Sequence, residues 1–98
     1  MKGKGRIVNF IGTWGSGVAT LVLRDQKGKE VKMAVENAPT VRALDSAFGG
    51  VIGEGHTVNL DAIKGKWIEY EYDQYGAVKY MTSFNPVGKF QDRLEEVY

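Results

Sequence analysis

The order of local patterns along the chain is the feature that most constrains its fold. Three strand-like segments come first, at residues 5–14, 18–25 and 30–37, and only three or four residues separate each from the next. Such short, glycine-containing connections are typical of antiparallel neighbours. One helical stretch follows, and two more strand-like segments lie at residues 66–73 and 77–84, around Gly76. This order predicts an all-β domain with one short helix between the third and fourth strands.

The second and third segments have the clearest period of two. Val31, Met33 and Val35 alternate with charged residues in the third segment, and a second apolar face consists of Ala19, Leu21 and Leu23. Residues two apart in a strand share one side of the sheet, so these two faces are expected to form the core. The second strand has the fewest polar residues and is expected to be central.

The fourth and fifth segments are predicted to form a hairpin. In the fourth, Ile68, Tyr70 and Tyr72 alternate with acidic residues. In the fifth, we place Val78, Tyr80 and Phe84 on one side and Lys79 on the other. Lys79 is therefore expected to meet Glu69 or Glu71 across the pair, because directly opposed side chains of two strands lie in contact.

The remaining segments are predicted from their glycine, proline and apolar spacing. Pro39 suits a first helical turn, and the apolar stripe that follows ends before Gly49, so we expect a helix that starts at Asn37 or Ala38 and ends at Phe48. Gly12 is expected to bend the first strand. Residues 51–65 are expected to be mostly loop, and residues 89–98 have apolar spacings that suit a short C-terminal helix.

Composition predicts one small domain. The 98 residues, 43% of them hydrophobic, are enough for a single core, so we expect one domain over 1–98 with residues 86–98 as a C-terminal extension. The chain has no cysteine, which excludes a disulfide framework. It also has no signal-peptide pattern and no run of about 20 apolar residues. We therefore expect a soluble, cytoplasmic protein.

The charge of the chain is uneven although its formal net value is only +1. Residues 1–32 carry seven basic side chains against Asp25 and Glu30, a local balance of +5. Such an excess favours an anionic partner through long-range attraction and counterion release. An ordinary set of solvated lysine-rich turns would give the same pattern. The seven cations are Lys2, Lys4, Arg6, Arg24, Lys27, Lys29 and Lys32.

The chain resembles the OB-fold, a five-stranded Greek-key barrel with a helix between its third and fourth strands. The resemblance covers residues 5–84 and rests on the element order and on three glycine-containing breaks: 15–17, 25–28 and Gly65 before the fourth strand. An SH3-like barrel, which also uses five strands, is the second choice. The OB resemblance implies a binding face on the second and third strands, flanked by the loops after the first and fourth strands.

That face supplies cations but no aromatic side chain. Its expected outward residues are Thr20, Val22, Arg24, Lys32, Ala34 and Glu36. Single-stranded nucleic acids are bound by stacking bases on aromatic rings, so the flanking loops would have to provide the rings. Trp14 and Tyr75 are the candidates, on loops that are expected to converge. A tryptophan near a strand end is more often a lid over the barrel than a platform for a ligand, which is the alternative interpretation of Trp14.

Catalysis is not indicated. The single histidine, His56, lies near Glu54 and Asp61 at spacings that match no metal-ligand motif, and Ser16 has no suitably placed base. Residues 12–17 lack the lysine and hydroxyl that would make a P-loop. We therefore expect a non-enzymatic protein without a metal or cofactor.

Two functional hypotheses remain. The first is a module that binds single-stranded DNA or RNA, with phosphate contacts and stacking contacts from Arg6, Trp14, Arg24, Lys27, Lys29, Lys32 and Tyr75. The second is a protein–protein interaction or assembly module, an adaptor or a homo-oligomer, that uses a strand edge or the C-terminal tail.

Overall fold

A computed structural model describes residues 1–87, which form five strands and one helix. The strands are β1 (Lys2–Ile11), β2 (Val18–Asp25), β3 (Glu30–Glu36), β4 (Trp67–Tyr75) and β5 (Val78–Pro86). Helix α1 (Asn37–Phe48) lies between β3 and β4, followed by two 3₁₀ turns, Glu54–His56 and Leu60–Ala62. The predicted element order is confirmed. The helix predicted over residues 89–98 lies outside the described residues.

The five strands form a closed barrel in the order β1-β2-β3-β5-β4, with β4 pairing back onto β1. Four of the five joins are antiparallel, and β3–β5 is parallel. The β3–β5 join has a single registered pair, Ala34 with Tyr80, whereas β1–β4 has five. The predicted fold class, an all-β five-stranded barrel with one helix after β3, is therefore confirmed.

The barrel core matches the predicted alternation in β2 and β3. Leu21, Leu23 and Met33 are fully buried, and the residues between them in β3 are exposed or half-buried. Ile68 and Tyr70 of β4 are buried in the same cluster. A strict period of two thus places one row of apolar side chains inside the barrel and leaves charged side chains outside.

Helix α1 begins at Asn37 and ends before Gly49, as expected. Val41 and Leu44 are fully buried against the barrel. Gly49 has φ of 75° and its N–H donates to the Asp45 carbonyl oxygen at 2.8 Å, which closes the last turn. Among residues 1–87 no helix has the length and apolar character to cross a membrane.

Residues 51–65 contribute more to the core than a loop would. Val51 and Ile63 are fully buried, and Ile52 forms an isolated bridge with Val58. The Asp45 side chain holds the start of this segment, since its Oδ1 accepts the Val51 N–H at 2.9 Å. The backbone of this segment is mostly irregular, as predicted, but the prediction misses these two core residues.

The bend in β1 is not at Gly12. Ile7 pairs with Leu23 while Asn9 pairs with Val22, so Val8 is an extra residue in a β-bulge. Gly12 lies just past the strand with φ of 122°, and a Cβ atom there would be 2.9 Å from Ala19 Cβ. Gly12 therefore permits a close approach to β2 rather than the bend itself.

The predicted sides of β5 are partly wrong, because this strand also contains a bulge. Glu71 pairs with Ser83 but Tyr72 pairs with Met81, so Thr82 is the extra residue. The bulge reverses the alternation: Met81 is buried inside, whereas Tyr80 lies on the outside of the barrel opposite Asp73.

Lys79 is consequently not opposite Glu69 or Glu71. It pairs with Gln74, and its Nζ lies 5.7 Å from the centre of the Tyr72 ring. This distance is within the range of a cation–π contact.

Candidate nucleic-acid interface

Arg6 and Arg24 lie directly opposite each other on the outside of β1 and β2. Glu30 of β3 lies opposite Arg24, and Trp67 of β4 lies opposite Arg6. Both arginines are exposed, and directly opposed Cβ atoms in antiparallel strands are about 4.5–5.5 Å apart. Among residues 1–87 the one ion pair within 4.0 Å joins Lys2 to Glu71, so neither guanidinium is held by a carboxylate. An anion between them would relieve their mutual repulsion.

Lys27 and Lys29 lie in the turn between β2 and β3, which Asp25 holds in one conformation. Asp25 Oδ1 accepts the backbone N–H groups of Lys27 at 2.9 Å and Lys29 at 2.8 Å. Gly28 has φ of 82°, a value that this turn requires and glycine adopts without strain. The two lysine side chains are exposed. The turn thus presents two exposed cations on a hydrogen-bonded backbone.

Lys32 is exposed on the outside of β3, opposite Val22 of β2. Val22 is itself on the outside, yet it is 96% buried (4% exposed) among its neighbours. Four of the five predicted cations therefore belong to one hairpin, and Arg6 adjoins it across β1–β2.

Tyr80 is an aromatic residue on this surface that the sequence reasoning did not place there. It pairs with Ala34 of β3, and Thr20 of β2 pairs with Ala34 on the other side. The Tyr80 side chain thus stands beside Ala34 on the outside of the barrel, near the Glu36 carboxylate. Partial burial, followed by the negative charge of Glu36, raises the pKa of Tyr80 from its ordinary value.

Tyr75 lies at the tip of the β4–β5 hairpin and is 69% exposed. It pairs with Val78, which is 53% exposed and lies on the same side of β5 as Tyr80. Residues two apart in a strand are about 7 Å apart. Tyr75, Val78 and Tyr80 therefore form a short apolar strip along the outside of the hairpin. We call the surface made by Arg6, Arg24, Lys32, Ala34, Val78, Tyr80 and Tyr75 the outer face.

Trp14 lies elsewhere and packs into the molecule. Its ring centre is 4.9 Å from that of His56, and its Nε1 is buried with no hydrogen-bond partner among the described residues. Asn37 holds the loop: its Oδ1 accepts the Gly15 N–H at 3.1 Å, and its Nδ2 donates to the Thr13 carbonyl oxygen at 3.0 Å. These contacts match the lid that was the alternative interpretation of Trp14.

The expected convergence of the loops of Trp14 and Tyr75 is wrong. The Tyr72 N–H donates to the Met1 carbonyl oxygen at 2.8 Å, which places the β4–β5 hairpin beyond the first residue of β1. The loop of Trp14 follows Ile11 at the other end of the same strand. One bound strand contacting the outer face would therefore use Tyr75 with Tyr80 rather than with Trp14.

Metal ligands do not cluster in the described part of the chain. Within residues 1–87 no three histidine, aspartate or glutamate side chains lie close enough to hold a metal ion. His56 is exposed and rests against Trp14.

Comparison with known proteins adds no relative. No protein-family model matches the chain, and searches of curated proteins and of solved structures give no match either.

Proposed function

We propose that this chain is a non-enzymatic, OB-like module that binds single-stranded DNA or RNA on its outer face. The observation that carries the proposal is the position of Tyr80 beside Ala34, which gives the β2–β3 surface the aromatic ring that its own strands lack. Support for the OB-like assignment comes from the strand order and from the helix after β3.

The outer face combines the two contacts that binding of a single strand requires. Tyr80 and the exposed Tyr75 offer rings for stacking, and each stacked base contributes about 1–3 kcal/mol. Arg6, Arg24 and Lys32 lie on adjacent strands, without carboxylates within ion-pair distance among residues 1–87. Lys27 and Lys29 extend the positive surface at the turn. Because stacking and phosphate contacts are both sequence-tolerant, we expect weak sequence preference.

Fluorescence anisotropy with a labelled oligonucleotide of about 12 nucleotides tests the proposal. Three to five phosphate contacts correspond to a slope of log K against log salt between about −2 and −3.5. Raising salt from about 50 to about 200 mM should therefore weaken binding about 20- to 130-fold.

Variants locate the site. Tyr80→Leu should weaken binding at least about fivefold, since one stacked base is lost. Lys32→Gln should weaken binding and reduce the salt slope by about 0.7, whereas the matched control Lys64→Gln, an exposed lysine off the outer face, should leave both unchanged. Absent binding at low salt, a salt-independent affinity, or equal effects of the two lysine variants would overturn the proposal.

A protein-interaction or assembly module is the second candidate, and exposed apolar side chains favour it. Val18 is 65% exposed and Ile11 is 49% exposed, both on the outside of the barrel near the β1–β2 loop. Every strand of the closed barrel has two neighbours, so among residues 1–87 a face, rather than a free edge, would make this contact. Sedimentation velocity tests it: a concentration-dependent dimer that Val18→Ser abolishes would support assembly, and a monomer at all concentrations would exclude self-association.

A further inference from the structure

A pocket opens at the end of the barrel where β1 begins, at the same end as the β2–β3 turn and the β4–β5 hairpin. Its volume is about 300 Å³. The pocket lies away from the β1–β2 loop and from the outer face, although Lys27 of the turn contributes to its rim. We call it the barrel-end pocket.

Aromatic and apolar side chains form the body of the barrel-end pocket. The Tyr70 and Tyr72 ring centres are 5.9 Å apart with planes tilted by 48°, and Val31 and Met33 line the side that β3 provides. Burial raises the pKa of Tyr70, and the nearby Tyr72 and Asp25 raise it further, so its hydroxyl remains a neutral hydrogen-bond donor. This lining suits a flat ring with polar atoms at its edge.

The charge at the rim favours an anion. Lys4, Lys27 and Lys79 line the pocket against a single carboxylate, Asp25, which leaves an excess of two positive charges (three minus one). The Asp25 Oδ1 atom already accepts the N–H groups of two turn residues. Lys79 is held near the Tyr72 ring, so its ammonium group can reach an anion attached to a ring stacked there.

The larger neighbouring groove lacks this preference. Its volume is about 480 Å³, and Lys2 and Lys4 are balanced there by Glu69 and Glu71. The ion pair between Lys2 and Glu71 at 3.7 Å neutralises part of it directly. Of these two cavities, the barrel-end pocket alone has an excess of positive charge.

We propose that the barrel-end pocket binds a planar ring that carries one anionic group, with a nucleoside monophosphate as the representative ligand. The ring contacts Tyr72, and the phosphate lies between Lys27 and Lys79. The volume of the barrel-end pocket is near the lower limit for small-molecule sites. It is large enough for one nucleotide and too small for a folded strand. The same chemistry is presented by a free mononucleotide and by the 5′-phosphorylated end of an oligonucleotide.

Titration of the ¹⁵N-labelled protein with adenosine 5′-monophosphate, followed by NMR, tests this site. Saturable shifts are expected for the amides of Lys27, Tyr72 and Lys79, and adenosine without the phosphate should bind about tenfold more weakly, since it lacks the charge-assisted hydrogen bonds. Lys79→Gln should cause a similar loss. The control Lys64→Gln should cause none.

The outcomes separate this site from the outer face. Tyr80→Leu and Lys32→Gln should leave the monophosphate affinity unchanged, even if they abolish oligonucleotide binding. Shifts confined to the outer face, equal affinity for adenosine and its monophosphate, or no effect of Lys79→Gln would overturn the proposal. Lys79 is only half-buried at the rim of the pocket, so Lys79→Gln is expected to fold and its affinity for the monophosphate decides.

A further comparison identifies the source of the ligand. If a 5′-phosphate strengthens oligonucleotide binding and Lys79→Gln removes the gain, the pocket receives the end of a strand. If the 5′-phosphate gives no gain while the free monophosphate binds, the pocket serves a free small molecule.

Discussion

The contact between Gly3 and Tyr70 gives a prediction with a defined magnitude. These residues are directly opposite in β1 and β4, and the Tyr70 ring lies across Gly3. A Cβ atom on residue 3 would lie 2.6 Å from Cε2, Cζ and Oη of Tyr70. Non-bonded carbon atoms prefer about 3.5–4.0 Å, so Gly3→Ala would force the ring to retreat by roughly 1 Å from a buried position.

The expected cost is the difference between two opposing effects. Overpacking a buried site costs about 1–3 kcal/mol, whereas replacing glycine by alanine gains about 0.4–1 kcal/mol by restricting the unfolded chain. We therefore expect the unfolding free energy to fall by about 1 kcal/mol. For a domain of this size the melting temperature should drop by about 4–8 °C, measured by circular dichroism.

A double-mutant cycle isolates the contact. Leucine at position 70 lacks the three ring atoms that clash, so Gly3→Ala should cost nothing, or should stabilise slightly, in the Tyr70→Leu background. The neighbouring exposed substitution Lys2→Ala should change stability by less than about 0.5 kcal/mol. Equal losses from Gly3→Ala in both backgrounds, or a loss no larger than that of Lys2→Ala, would refute the reasoning.

Two further predictions concern pH and the β1–β2 loop. The raised pKa of Tyr70 contributes stability that is fully present below pH 10.0 and is lost as pH rises through the folded-state pKa. Urea unfolding between about pH 8 and 11 should show this decline in unfolding free energy. Tyr70→Phe should make the decline smaller. Asn37 is 98% buried (2% exposed) and makes two hydrogen bonds to the loop of Trp14. Asn37→Ala should therefore lower the unfolding free energy by about 1–3 kcal/mol and, in a Trp67→Phe background, shift the fluorescence emission of Trp14 to the red. The exposed control Asn85→Ala should do neither. An unchanged emission spectrum would contradict the role of Asn37 in holding this loop.

The elements that could be predicted are those specified by local patterns. In β3, strict alternation around Lys32 gave the correct inside and outside, and the glycine-containing connections gave the correct antiparallel partners. The two bulges escaped prediction because an extra residue such as Val8 or Thr82 carries no distinctive side chain. In β5 the alternation of Val78, Tyr80 and Phe84 looks regular in sequence, and only the pairing with β4 shows where it reverses.

The residues of the candidate site also divide into those that local sequence predicts and those that depend on distant contacts. The cations of the β2–β3 hairpin are neighbours in sequence, so their grouping was foreseeable. The position of Tyr80 depends on the parallel join of β3 and β5, and that of Trp14 depends on a contact with His56, and both partners are distant in sequence. The period of two gave no sign of either.

The single registered pair between β3 and β5 has a consequence for folding. The β1–β2, β2–β3 and β4–β5 hairpins join residues close in sequence, whereas Ala34 and Tyr80 must meet across a long chain segment. The β1–β4 join also closes a long segment, but its five registered pairs offset the entropic cost of closure, whereas β3–β5 has one pair, so the barrel should close last at β3–β5. The same join should be the first to open in native-state hydrogen exchange, with amides near Ala34 exchanging through a local opening that leaves β1–β4 paired. In that open form the chain would be a curved five-stranded sheet with β3 and β5 as its two edges.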